Sequence, residues 1–155
     1  MTLSEHLCDP TFRLRIDEDL RHRAVRAVEL YFRDNAGPHT ARSQVHAITG
    51  ILLGGGISEL RELAHKQANK RTNDRDHPFW SFVESLVKEG KSPKKELENA
   101  RIPVEGMLEE LGLLAGSKND LRQDRHTLWE SMAPVYFEHF VCHYFYMKPR
   151  QEREK

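Results

Sequence analysis

The chain has 155 residues, 38% of them hydrophobic, with 24 Lys plus Arg balanced by 24 Asp plus Glu. A chain this long buries about two thirds of its unfolded surface, so one domain folds without disulfides or a structural metal. Zero formal net charge excludes a globally basic nucleic-acid binder, no apolar run approaches the ~18 residues of a membrane span, and two cysteines, Cys8 and Cys142, exclude a disulfide framework and fit a reducing, cytoplasmic setting.

Residues 1–16 read as a loose start. Asp17 precedes a segment with Leu20, Ala24, Ala27, Val28 and Tyr31 on one face, and Asn35-Ala36-Gly37-Pro38 supplies a stop. This spacing predicts a first helix from about Glu18 to Asp34. Thr40 is placed to cap a second, whose apolar side is Ala41, Val45, Ile48, Ile51 and Leu52 and which Gly54-Gly55-Gly56 ends. Ser58 is placed to cap a third, burying Ile57, Leu60, Leu63, Ala64 and Ala68. Glu59 and Glu62 lie at its start and Lys66, Lys70 and Arg71 toward its end, the charge order a helix dipole favours.

From Thr72 to Asp76 the chain turns polar, and Asp76 before His77-Pro78 marks a helix start with proline in the first turn. Phe79, Phe82, Val83, Leu86 and Val87 follow at helical spacing until Gly90. Ser92-Pro93 opens a short mixed-charge helix interrupted at Pro103, and Val104, Met107, Leu108 and Leu111 carry another to Gly116. Asp120 begins the last helical stretch, which Pro134 is expected to kink or divide. Within it Phe137, Phe140, Val141, Tyr144 and Phe145 form one apolar stripe at i, i+3, i+4, i+7 and i+8, while His139, His143 and Tyr146 project from the other side. The tail 149–155 reads as frayed. Every apolar period lies near 3.6 residues, so the expected fold is all-α: one compact bundle of about five or six helices.

The glycine run at 54–56 lacks both the following Gly-Lys-Ser/Thr and the preceding strand that a phosphate-cradling loop requires, so it reads as a connector or hinge. His139, Cys142 and His143 stand at i, i+3 and i+4, a spacing that can converge on a metal, with His126 upstream. No paired His/Glu motif supports them, and they read as polar surface groups; no metal or cofactor is expected. Neither a nucleophile elbow nor a pair of carboxylates in contrasting surroundings is recognisable, so no catalytic constellation stands out.

What remains is the distribution of charge. Between Leu20 and Arg75 ten Lys/Arg face five acids. On the second helix Arg42 and His46 stack one turn apart; on the first, His22, Arg26 and Arg33 share an outer stripe with Glu29. The third adds Lys66 and Lys70 on one flank and Arg61 and His65 on the other. Packed side by side, these helices would line a groove that follows a phosphate backbone without reading bases, the candidate contacts being Arg42, His46, Arg61, Lys66, Lys70 and Arg71. The alternative is a solvated charged face.

The segment Thr40-Ala41-Arg42-Ser43-Gln44-Val45-His46 resembles the Thr-Thr-Ser-Gln/Lys-Ile/Leu-Arg helix start of the small helical (Csm-type) subunit of type III CRISPR effector complexes. The ending Tyr136-Phe137-Glu138-His139-Phe140-Val141-Cys142-His143-Tyr144-Phe145-Tyr146 is similar to that family's aromatic C-terminus, and Phe79-Trp80-Ser81-Phe82 stands between them in a similar order. His46 occupies the usual Arg position and Arg42 that of a second Thr, which moves the expected backbone contact to Arg42. The resemblance implies a non-catalytic, cytoplasmic antiviral subunit. Several copies would stack and support guide RNA and target RNA while other subunits cut. The acidic Glu105, Glu109 and Glu110 region is then expected to meet a neighbour's basic surface. Two other classes remain open: a freestanding helical protein-interaction or regulatory module, and a metal-dependent helical-bundle enzyme.

Overall fold

The computed structural model describes residues 2–35, 40, 42–70 and 76–153, with side chains as far as 149. Expectations resting on Ala36–Pro38, Ala41, Arg71, 72–75 and 154–155 lie outside the described residues. Among the described residues the chain forms helices and no strand. Their order is α1 (Leu3–Leu7), α2 (Pro10–Asp34), α3 (Arg42–Gly54), α4 (Gly56–Ala68), α5 (His77–Val87), α6 (Lys95–Ala100), α7 (Val104–Glu110) and α8 (Lys118–Arg153). Eight described helices stand against the five or six expected; α1, in the segment expected to be irregular, is the addition, while α6 is the short helix expected after Ser92-Pro93.

The long helices α2 and α8 pack along each other, α5 lies on α4, and α3 bridges α4 to α8. The first helix begins at Pro10 rather than Glu18. Asp9 caps it, its carboxylate accepting from Thr11 N at 3.0 Å, and proline sits in the first turn, where its missing N–H costs nothing. Phe12 and Ile16 then extend the Leu20 stripe backward into the core, and Leu3 of α1 is buried as well. Of the start expected to be loose, Leu3–Leu7 and residues 10–16 are therefore helical, and Leu3, Phe12 and Ile16 are packed into the core.

Other boundaries shift for local reasons. Ser58 does not cap α4: the helix starts at Gly56, and Ile57 N donates to Glu130 Oε1 of α8 at 3.0 Å, a cap supplied from 73 positions along the chain. α5 stops at Val87 instead of running to Gly90. α7 ends at Glu110, and Gly112 rather than Gly116 closes it. With φ +69° at Gly112, Leu113 N reaches Leu108 O and Gly112 N reaches Glu109 O, the paired bonds of a left-handed C-terminal cap. Pro134 does not divide α8, which stays helical through it and through Pro149 to Arg153, past the point where fraying was expected.

The core is aromatic where α2, α5 and α8 converge. Phe137, Phe140, Val141 and Tyr144 are buried as the stripe predicts, and Phe145 is partly buried. Phe79 meets Tyr144 edge to face (5.5 Å, 70°) and Tyr31 likewise (5.9 Å, 86°), while Phe32 lies 5.0 Å from Tyr144. These are the offset and T-shaped arrangements that ring quadrupoles prefer. His143, expected on the outer side, instead lies mostly covered against α2, its Nε2 3.7 Å from Glu29 Oε1.

Candidate nucleic-acid interface

The start of α3 and the end of α8 form one edge. Thr40 is buried, and its hydroxyl donates to the Asp76 carboxylate instead of capping α3. Lys148 Nζ donates to Thr40 O at 3.3 Å, tying α8 to this segment from the outside, while Trp80 Nε1 donates to Gln44 Oε1 at 3.0 Å from within. On the exposed side Arg42 Nε donates to His46 Nε2 at 3.4 Å. The Arg42 guanidinium carbon lies 5.2 Å from the Phe145 ring centre, and the His46 ring 4.9 Å from it, tilted by 32°. A cation over an aromatic face gains about 0.5–1 kcal/mol at an exposed site. Arg42 is thus held over the Phe145 ring at the surface, and among the described residues its terminal amino groups have no acceptor and can meet an anion.

The other predicted contacts are not brought to this edge. Lys66 is exposed beside a shallow concavity with Ile51, Glu59 and Glu62. At 100° per residue Ile51 sits about 180° around α3 from Arg42, so the seam holding Lys66 opens on the opposite flank. Lys70 is exposed just beyond the end of α4. Arg71 lies outside the described residues.

Arg61 turns inward and leaves the set of surface contacts. Its Nε donates to Val87 O at 2.7 Å, its Nη1 to Glu89 Oε1 at 3.3 Å, and its guanidinium lies 4.7 Å over the Trp129 ring. Burial lowers its pKa, against the opposing pull of Glu89 and Glu130. Arg101, only 3% exposed, works from the other side of the same turn, donating to Leu86 O at 3.2 Å, Gly90 O at 3.0 Å and Lys88 O. Two guanidinium groups therefore satisfy the carbonyls at the C-terminal end of α5, where partial negative charge gathers.

Beyond Arg61 lies a groove of about 1220 Å³ between the turn at Glu89 to Lys91 and the first half of α8. Lys118, Arg122 and Arg125 line it from α8 and Lys91 from the turn. These positions were not among the predicted contacts, although Lys118, Arg122, Arg125 and Trp129 recur at i, i+4, i+7 and i+11, the period used elsewhere only to find apolar faces. Arg125 forms a two-pronged pair with Glu105, at 2.6 and 3.1 Å, which raises its pKa. Glu110 pairs with Arg15 at 2.6 Å. Two of the three acids assigned to a neighbour are thus engaged within the chain.

Among the described residues no three His, Cys, Asp or Glu side chains gather as metal ligands. Cys142 and Cys8 are exposed free thiols. No described helix is long and apolar enough to cross a membrane. Compared with known proteins, the chain matches no family model, no curated protein and no solved structure.

Proposed function

We propose that the chain is a non-catalytic helical subunit of an RNA-guided ribonucleoprotein of the type III CRISPR kind. In this reading several copies stack and support guide and target RNA by backbone contacts, with Arg42 and His46 foremost and Lys66, Lys70 and Arg71 beside neighbouring copies. The observation that carries it is contact between the two segments on which the resemblance rests. Thr40 to His46 and the aromatic ending lie far apart in the chain, yet Phe145 supports Arg42 and His46, and Lys148 holds Thr40. An exposed guanidinium held over an aromatic ring suits a phosphate contact that positions without reading sequence. Two exposed free thiols suit a reducing compartment, and the cytoplasm is its proposed location.

The test belongs in the assembled complex, because one copy covers few nucleotides and affinity accumulates along a row. Arg42→Glu combined with Lys70→Glu should weaken target-RNA binding and flatten its salt dependence. Unchanged assembly and affinity at low and moderate salt would reject the reading. A second reading, a freestanding protein-interaction module, draws on Leu53, which stands 85% exposed on the outer side of α3. Failure of the purified chain to shift any RNA in a low-salt gel would favour it.

A further inference from the structure

We infer that the groove between the Glu89 to Lys91 turn and the first half of α8 is a binding site for the phosphate backbone of a single nucleic-acid strand. It lies apart from the Arg42 edge and does not rest on the reading above.

Charge is the first reason. Five cations line the groove (Arg61, Lys91, Lys118, Arg122 and Arg125) against two acids (Glu89 and Glu105), an excess of three. Both acids are already engaged, Glu89 by Arg61 and Glu105 by Arg125. Lys91, Lys118 and Arg122 are exposed and have no ion-pair partner among the described residues. A concave wall of one sign concentrates its field on whatever occupies it. At the floor Arg61 is a half-satisfied cation: its Nη2 is buried with no acceptor, and its partner Glu89 is 79% exposed to water.

Shape is the second. At 1.5 Å rise per residue, Lys118, Arg122 and Arg125 stand along about 10 Å of one helix flank, while Asp120 and Asp124 fall on the other side of α8. A linear row of cations fits a linear row of phosphates. An acidic peptide would need an apolar anchor at the centre of its site. The apolar residues lining the groove are Leu121, which is partly buried against the core, and Trp129, which is 5% exposed and covered by the Arg61 guanidinium, so neither stands fully open as such an anchor. The same cover removes Trp129 as a platform for base stacking, so the strand is held by its backbone alone and without sequence preference.

The test titrates the full chain with a fluorescein-labelled oligouridylate, following anisotropy from low to moderate salt. Lys91→Ala, Lys118→Ala and Arg122→Ala combined change only exposed side chains. Three lost phosphate contacts should lower the salt slope by about 2 and the low-salt affinity by roughly ten-fold or more. A mixed-sequence RNA of equal length should bind as tightly as the oligouridylate. Arg42→Glu serves as the contrast, since it touches only the other edge. If Arg42→Glu abolishes binding and the triple variant does not, the groove is rejected while the first reading stands; the reverse result upholds the groove alone. No binding at low salt, or displacement of the oligonucleotide by a polyaspartate of equal charge, would also overturn it.

Discussion

Arg61 and Lys66 are both cations on the flanks of one amphipathic helix, and one of them is structural. A helical wheel puts Lys66 nearly opposite the apolar face and Arg61 at its border, and only the arrival of α5 and α8 beside Arg61 makes it an internal donor. The glycines at 54–56 divide in the same way. Gly56 adopts φ +78°, and a Cβ there would lie 2.6 Å from the Glu130 carboxylate that caps α4. Gly54 has nothing within 4 Å of such an atom. Gly56→Ala should therefore destabilise the fold by ~1–3 kcal/mol through left-handed strain and loss of the Glu130 cap. Gly54→Ala should be neutral or stabilising by up to ~1 kcal/mol. Urea denaturation of the two variants checks the contrast; equal midpoints would mean that the Glu130 clamp contributes nothing.

Among the elements, α8 was the most legible and the least completely read. Its C-terminal half announces itself by an apolar stripe, and the stripe is buried as expected. Phe140 is fully buried and faces Phe79, Phe137 and Tyr144. Phe140→Ala should cost about 3–5 kcal/mol, a large share of a typical domain's stability. A thermal unfolding midpoint close to that of the unaltered chain would contradict this packing. The N-terminal half carries its period in cations instead, around Trp129, and a search for apolar faces passes over it. The start of α2 was missed although Asp9-Pro10 is a complete start signal, because the short polar stretch at 17–19 offered a second one nearer the strong stripe.

For the molecule as a whole, stability should depend on keeping its central tyrosines neutral. Tyr31, Tyr136 and Tyr144 are all buried, and Tyr136 donates to Ala100 O at 2.6 Å. Burial pushes Tyr31 up to about 12 and raises Tyr136 and Tyr144 as well. An unfolded tyrosine ionises near pH 10. The folded pKa is the higher one, so this contribution is fully present below about pH 10 and is lost as pH rises through the folded values. Alkaline unfolding should begin above about pH 10, with tyrosinate absorbance from these residues appearing together with loss of helical circular dichroism. Tyrosinate formation that leaves the helical signal intact would show that burial does not hold these rings neutral.

The all-helical class, the position of most helices and part of the aromatic core, Tyr31, Phe79, Phe137, Phe140 and Tyr144, follow from sequence alone, whereas the burial of Phe32, Trp80 and Tyr136 does not. An apolar period near 3.6 is a local property, and burying such a stripe is the dominant favourable term in folding. Which cations reach solvent was decided only by tertiary structure. Arg42 is held over the ring of Phe145, Arg61 is drawn inward by the carbonyl of Val87, and α4 is capped by Glu130 from α8. Each of these depends on a partner from a distant part of the chain, and a charged side chain on a helix flank has no period that says which neighbour will arrive beside it.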